Sequence, residues 1–314
     1  MPDFVRCLLA GEVDRVPGAI RVWVGACHPN GSLGDDWILV VRCRMAPSLP
    51  SWCAWRTVRL LCAVWVAWFV CSAVSARPLK VLFIGNSYVY VNDLPKIFQQ
   101  VAVGAGQEAP EIRMHAPGGQ TLAGHVRDQA LQKILREPCD VVVLQEQSQI
   151  PAIAETSAPV RQMFFESCQA LTHAIRRVHP AVRVVFYQTW ARHPSAWLSA
   201  KAPVDLGADA VDMQARLSRW YAEAARRASG EVAPVGDAWQ ANYRSPHPVM
   251  LHAQDGSHPT VAGTYLAALV LVSVVYQVPP ETQFDGPLPP QVAAHLRMLA
   301  TTVAAPEAGS KQGR

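Results

Sequence analysis

Several protein classes are marked by features this sequence lacks. Charged residues make up only 17% of its 314 positions and nearly balance, with 28 Lys plus Arg against 24 Asp plus Glu. No basic stretch is interleaved with aromatics as a nucleic-acid surface requires, so nucleic acid is not an expected partner. No histidine pair has HExxH spacing, and beyond residue 76 only Cys139 and Cys168 remain, isolated from each other. Hence no metal site and no cofactor are expected. Aromatics are 8% and hydrophobic residues 50%, an ordinary globular composition that argues against disorder, collagen-like repetition or a polytopic membrane protein.

What is present is unevenly spread. Cys7, Cys27, Cys43, Cys53, Cys62 and Cys71 all precede residue 77, as do Trp23, Trp37, Trp52, Trp55, Trp65 and Trp68. Composition therefore changes near Arg77, which reads as a processing boundary. From Met45 the chain carries Arg56 and Arg59, then the uncharged run Leu60 to Ala76, ending in Val74-Ser75-Ala76. Positive residues, an apolar stretch and small residues at its end predict a signal peptide over 45–76. The alternative is an anchor, but the run is 17 residues long, short of the roughly 20 that span a bilayer. Export to the periplasm or the extracellular space is thus expected, with a membrane partner only if 60–76 stays uncleaved. Residues 1–44 show no clear periodicity and read as an over-extended start or a short tail. Residues 77–303 read as one domain, and 304–314 as a small, polar, disordered tail.

Within that domain, short apolar runs alternate with amphipathic stretches. Val81–Ile84, Ile112–His115, Val141–Leu144, Val182–Tyr187 and Val232–Val235 are the expected strands. Helical spacing follows over Leu94–Gly104, Leu122–Arg136, Val160–Val178, Ala210–Ser229 and Val261–Tyr276. Five strand-to-helix alternations predict an α/β fold, a parallel sheet covered on both faces. Ligands of such sheets bind beyond the carboxyl ends of the strands. There the chain places Gly85-Asn86-Ser87, Gly118-Gly119-Gln120-Thr121, Gln145-Glu146-Gln147-Ser148 and Gly236-Asp237-Ala238-Trp239, with Asp255-Gly256-Ser257-His258-Pro259 before the last helix.

A serine hydroxyl needs an imidazole to take its proton and a carboxylate to orient that imidazole. Ser87, His258 and Asp255 supply these types, with the last two close enough to pair locally. An oxyanion needs fixed donors, for which the backbone of Ser87 and Gly119 and the amide of Gln147 qualify. The loop after the first strand lacks a phosphate-binding glycine pattern, which disfavours a mononucleotide. His125, His193, His247 and His252 compete for the base role without the same carboxylate spacing. Asn86, Gln145, His125, Trp190 and Asp237 are further candidates for lining the substrate; Trp190, Trp197, Trp239 and Tyr243 lie where aromatic faces can meet sugar or acyl groups or simply pack. Glu146 and Asp237 fit structural hydrogen bonds as well as a polar rim. Spacing leaves open whether Cys139 and Cys168 are bridged.

These residues together resemble the SGNH, or GDSL-type, hydrolase superfamily. Its first block matches Val81 to Ser87 (VLFIGNS), its last block matches Asp255 to Pro259, and its second-block glycine matches Gly119. The third block departs: a G-x-N-D pattern is usual, whereas this chain has Gln145-Glu146-Gln147-Ser148. Similarity to a bacterial branch with glutamine in that block implies a variant oxyanion hole, with Gln147, or else Gln145, as donor. The resemblance implies a flavodoxin-like three-layer α/β/α fold with a five-stranded parallel sheet. It further implies a serine esterase acting without cofactor on small-molecule or polysaccharide esters, O-acetyl carbohydrate or short-chain acyl esters. A non-catalytic glycan-binding protein on the same fold is the alternative.

Overall fold

Successive side chains of a strand point to opposite faces, so a strand apolar at every position serves two helical layers at once. The computed structural model describes residues 77–198 and 204–304, together with the strands 8–9, 21–27 and 38–44. In it β1 (Lys80–Ile84), β2 (Glu111–His115), β3 (Val141–Leu144), β4 (Arg183–Tyr187) and β5 (Glu231–Ala233) form an all-parallel sheet in the order β2-β1-β3-β4-β5. The chain steps outward from β1 to β2, then returns to the other side of β1, so the order reverses beside Ser87. Such a switch point is where open α/β sheets bind ligands. This is the expected three-layer fold.

The helices follow as α1 (Ser87–Tyr90), α2 (Leu94–Gly104), α3 (Leu122–Val126), α4 (Gln129–Ile134), α5 (Ile150–Ile153), α6 (Ala158–Val178), α7 (Ala210–Arg227), α8 (Val235–Arg244), α9 (Val261–Tyr276) and α10 (Pro290–Ala304). Val81, Phe83, Val141, Val143, Val185 and Tyr187 pack on the layer of α2, α8, α9 and α10. Their neighbours Leu82, Ile84, Val142, Leu144, Val184 and Phe186 pack on the opposite layer of α3, α4, α6 and α7. α9 is apolar on nearly every side because α2 and α10 enclose it against the sheet. Truncating its fully buried Leu269 to Ala removes packing on that scale, a cost of about 2–5 kcal/mol.

Three local features differ from the sequence reading. The helix expected over Leu122–Arg136 is two helices, because the Asp128 carboxylate accepts the N–H groups of Ala130 at 2.8 Å and Leu131 at 3.4 Å and starts a second one. The fifth strand ends at Ala233 rather than Val235: Pro234 has no N–H for the ladder, and Val235 opens α8. Asp237 and Trp239 therefore lie on a helix, not in a connection. α10 was not anticipated, although Val292, Leu296, Leu299 and Val303 follow Pro290 at helical spacing. Cys139 and Cys168 are both buried free thiols.

Residues Met1–Ser75 form a separate compact unit. Its described backbone is an antiparallel sheet of Leu8–Leu9, Arg21–Cys27 and Ile38–Arg44, with Arg21 opposite Arg44 and Cys27 opposite Ile38. The expected leader over 45–76 and the tail 305–314 lie outside the described residues. Among the described residues no helix is long and apolar enough to cross a membrane.

Candidate active site

Ser87 opens α1 directly after β1, and its position is fixed from three sides. Asn86 caps the helix by accepting the Tyr88 N–H at 3.2 Å, donates its amide to the Gln120 carbonyl at 2.9 Å, and donates its backbone N–H to Gln145 Oε1 at 2.9 Å. Gly85 is required beneath this turn: a Cβ there would lie 2.5 Å from Gln145 Oε1 and 2.7 Å from Val89 Cγ2. The N–H of Ser87 itself belongs to the first helical turn, which has no intrahelical acceptors.

His258 comes to Ser87 from the loop between α8 and α9. Its Nε2 is 2.9 Å from Ser87 Oγ, and its Nδ1 is 2.5 Å from Asp255 Oδ2. Asp255 Oδ1 accepts the backbone N–H groups of Ser257 and His258, each at 2.9 Å. Desolvation pushes the Asp255 carboxyl up, but the bonds from the His258 ring and these two amides outweigh it and hold its pKa down at about 2. The loop turns at Gly256, whose φ of +65° favours glycine. The three expected residues thus form one hydrogen-bonded chain.

Behind that chain stands an aromatic column. Tyr88 stacks on Trp190 with centroids 4.5 Å apart, and Trp190 on Trp239 at 3.8 Å, while Tyr88 meets the His258 ring edge-on. Trp190 Nε1 donates to the Ser257 carbonyl at 3.0 Å, and Arg192 donates to the hydroxyls of Tyr88 and Ser257. Tyr88, Ser257 and Arg192 were not singled out in the sequence; Tyr88 and Ser257 are direct neighbours of Ser87 and His258, which was the available signal. Trp190 and Trp239 are each only 1% exposed, so they brace the loop of His258 and offer no free face for sugar.

The remaining candidates divide clearly. Gln145 is fully buried, with Oε1 accepting from Asn86 and Nε2 donating to the Glu146 carbonyl, so both ends of its amide support the Ser87 turn. Gln147 is half-buried; its Oε1 accepts the Gln149 N–H at 2.8 Å, and its amide nitrogen lies 3.4 Å from Gln149 Oε1. Gly119 is exposed with φ +68°, and nothing lies within 4 Å of where a Cβ would stand, leaving its backbone open to a ligand. Asp237 bonds Gln188, Gln214 and Ser218 and belongs to the scaffold. His125 is buried and donates Nε2–H to the Gly85 carbonyl at 2.8 Å. His252 is held between the Ala191 carbonyl and the Tyr243 hydroxyl, and burial above all lowers its pKa to about 4, a neutral structural imidazole.

No family model matches the chain, and no curated protein sequence matches it. Solved structures do. A DUF4886 family protein from Bacteroides uniformis has a TM-score of 0.57 at 19% identity, covering 72% of this chain and 94% of the other. A protein from Parabacteroides merdae described as a GDSL-like lipase has a TM-score of 0.50 at 13% identity, covering 64% of this chain and 96% of the other. Both likenesses establish the fold.

Proposed function

We propose that this chain is a serine ester hydrolase of SGNH type. The observation that carries the reading is the hydrogen-bonded chain from Ser87 Oγ through His258 to Asp255 at the carboxyl end of a parallel sheet. His258 Nδ1–H donates to the carboxylate, so Nε2 has the lone pair that takes the Ser87 proton. The serine oxygen bonds to the ester carbonyl carbon, and the carbonyl π pair moves onto its oxygen. The N–H groups of Ser87 and Gly119 and the amide of Gln147 receive that oxyanion in this proposal. Collapse expels the alcohol, which takes the proton from His258. Water, deprotonated by the same imidazole, then cleaves the acyl-serine; acid leaves and Ser87 is regenerated.

Side-chain exposures of 37% for His258 and 49% for Asp255 place the chain of residues at the surface. A pendant ester on a polymer can reach such a site, which favours O-acetyl groups on carbohydrate, with short-chain acyl esters next. Export after loss of 45–76 belongs to the same proposal and is supported by the leader-like sequence. The paired geometry supports turnover over mere glycan binding.

Intact-mass analysis after fluorophosphonate treatment tests nucleophile activation without knowing the substrate. One adduct is expected on the wild type and none on Ser87→Ala, with ester hydrolysis falling at least about a thousandfold in the variant. A folded wild-type protein that takes no adduct overturns the esterase reading and leaves the binding protein.

A further inference from the structure

His115 ends β2, His125 lies in α3 and Asp128 caps α4, three elements that meet beside the Gly85 turn. His115 Nε2 is 2.6 Å from Asp128 Oδ2, and the His115 and His125 rings meet edge to face with centroids 5.5 Å apart. One donor atom from each of the three residues lies within 4.8 Å of the other two. The fold creates this cluster. In sequence it has neither HExxH spacing nor a cysteine, which is why no metal site was expected there.

His125 supplies the second, independent observation. It is fully buried, and its Nε2–H donates to the Gly85 carbonyl. The hydrogen is therefore on Nε2 and the lone pair on Nδ1, yet Nδ1 has no hydrogen-bond partner among the described residues. A buried acceptor left without a donor carries an uncompensated desolvation cost. The chemistry at Ser87 does not use it.

We propose that His115, His125 and Asp128 bind a divalent first-row metal ion, with zinc as the best match to a two-imidazole, one-carboxylate donor set. Zinc holds such donors at about 2.0–2.2 Å, which sets them about 3.3 Å apart in a tetrahedron. That spacing falls between the 2.6 Å contact and the 4.8 Å limit within which the donor atoms lie. Side-chain exposures of 14% for His115 and 18% for Asp128 keep this side of the cluster in partial contact with solvent. Binding displaces the proton shared by His115 and Asp128. With Nε2 bonded to the Gly85 carbonyl, Nδ1 is the His125 nitrogen left for an ion, and that outer hydrogen bond would orient the ring. Because Gly85 N also donates to the His115 carbonyl at 3.2 Å, an ion here ties the turn carrying Ser87 to β2 and α3. Its role is structural, and the proposal does not depend on the esterase reading.

The test is zinc titration of chelator-treated, dialysed full chain, read by calorimetry and by metal content after desalting. One zinc per chain is expected, with a higher melting temperature in zinc. His115→Gln and Asp128→Asn are each expected to weaken binding by at least about tenfold and to abolish the zinc-dependent melting shift. Asn keeps the oxygen that caps α4, so Asp128→Asn preserves the helix start, and circular dichroism checks both folds. Substoichiometric zinc on the wild type at saturating excess overturns the site, whatever the variants do. Wild-type affinity in either folded variant overturns it too.

Discussion

Replacing Glu146 by Gln should make the protein more stable, by a margin that is absent below pH 4.5, grows as pH rises and is complete above pH 7. Glu146 is 1% exposed at the end of β3, and its Oε1 accepts the N–H groups of Gln147 at 2.6 Å and Leu122 at 3.1 Å. Burial raises its pKa from the ordinary 4.5 to about 7, against the pull of those two bonds. Between these values the folded chain keeps a proton that the unfolded chain has released. The neutral acid thus favours folding fully below pH 4.5, and the benefit is lost as pH rises through 7. The 2.5-unit gap between the values, at 1.36 kcal/mol per unit, comes to about 3 kcal/mol. Glutamine retains the accepting oxygen and cannot ionise. Guanidinium unfolding followed by tryptophan fluorescence should therefore give nearly equal stabilities at pH 4, and Glu146→Gln about 3 kcal/mol ahead at pH 8.5. A difference that does not vary with pH, or none at pH 8.5, refutes the reasoning that this carboxyl is folded in its neutral form.

Two further predictions concern catalysis. In Asp255→Asn the amide oxygen stays with the Ser257 and His258 N–H groups, which turns the NH2 toward His258 Nδ1 and moves the ring hydrogen to Nε2. Ester hydrolysis should fall by about ten-thousandfold with the fold intact; a loss under tenfold removes Asp255 from the mechanism. Gln147→Ala should lower kcat by about a hundredfold to a thousandfold with KM little changed, and an unaltered kcat shows that the oxyanion is held by other donors.

The order of elements was legible because β3, and β4 beyond Arg183, are unbroken runs of buried apolar residues, which only a doubly covered sheet accommodates. The glycine turn at Gly85-Asn86-Ser87 and the Asp255-to-His258 spacing were legible for a similar reason, since each is a local geometry with few residue solutions. Trp190 and Trp239 were not. Whether an indole is free or stacked depends on a neighbour supplied by another segment, and here each is that neighbour for the other. Gln145 and Gln147 are also indistinguishable as letters: the two differ in what stands above them, Gly85 and Asn86 in one case and Gln149 in the other. Asp128 split a helix because its carboxylate found two backbone donors, a competition that apolar periodicity does not register.

The bond between Ser87 and His258 joins positions 171 apart. All five strands are synthesised before the imidazole, so a growing chain can complete its sheet while the serine still has no partner. Fragments ending ahead of Asp255 are expected to be chemically silent however well they fold. The loop of His258 is in turn clamped at Ser257 by Tyr88 from the start of the domain and by Trp190 from its middle. The proposed hydrolytic competence would on this plan arrive as the last act of maturation, its appearance reporting that the beginning, middle and end of the domain have met.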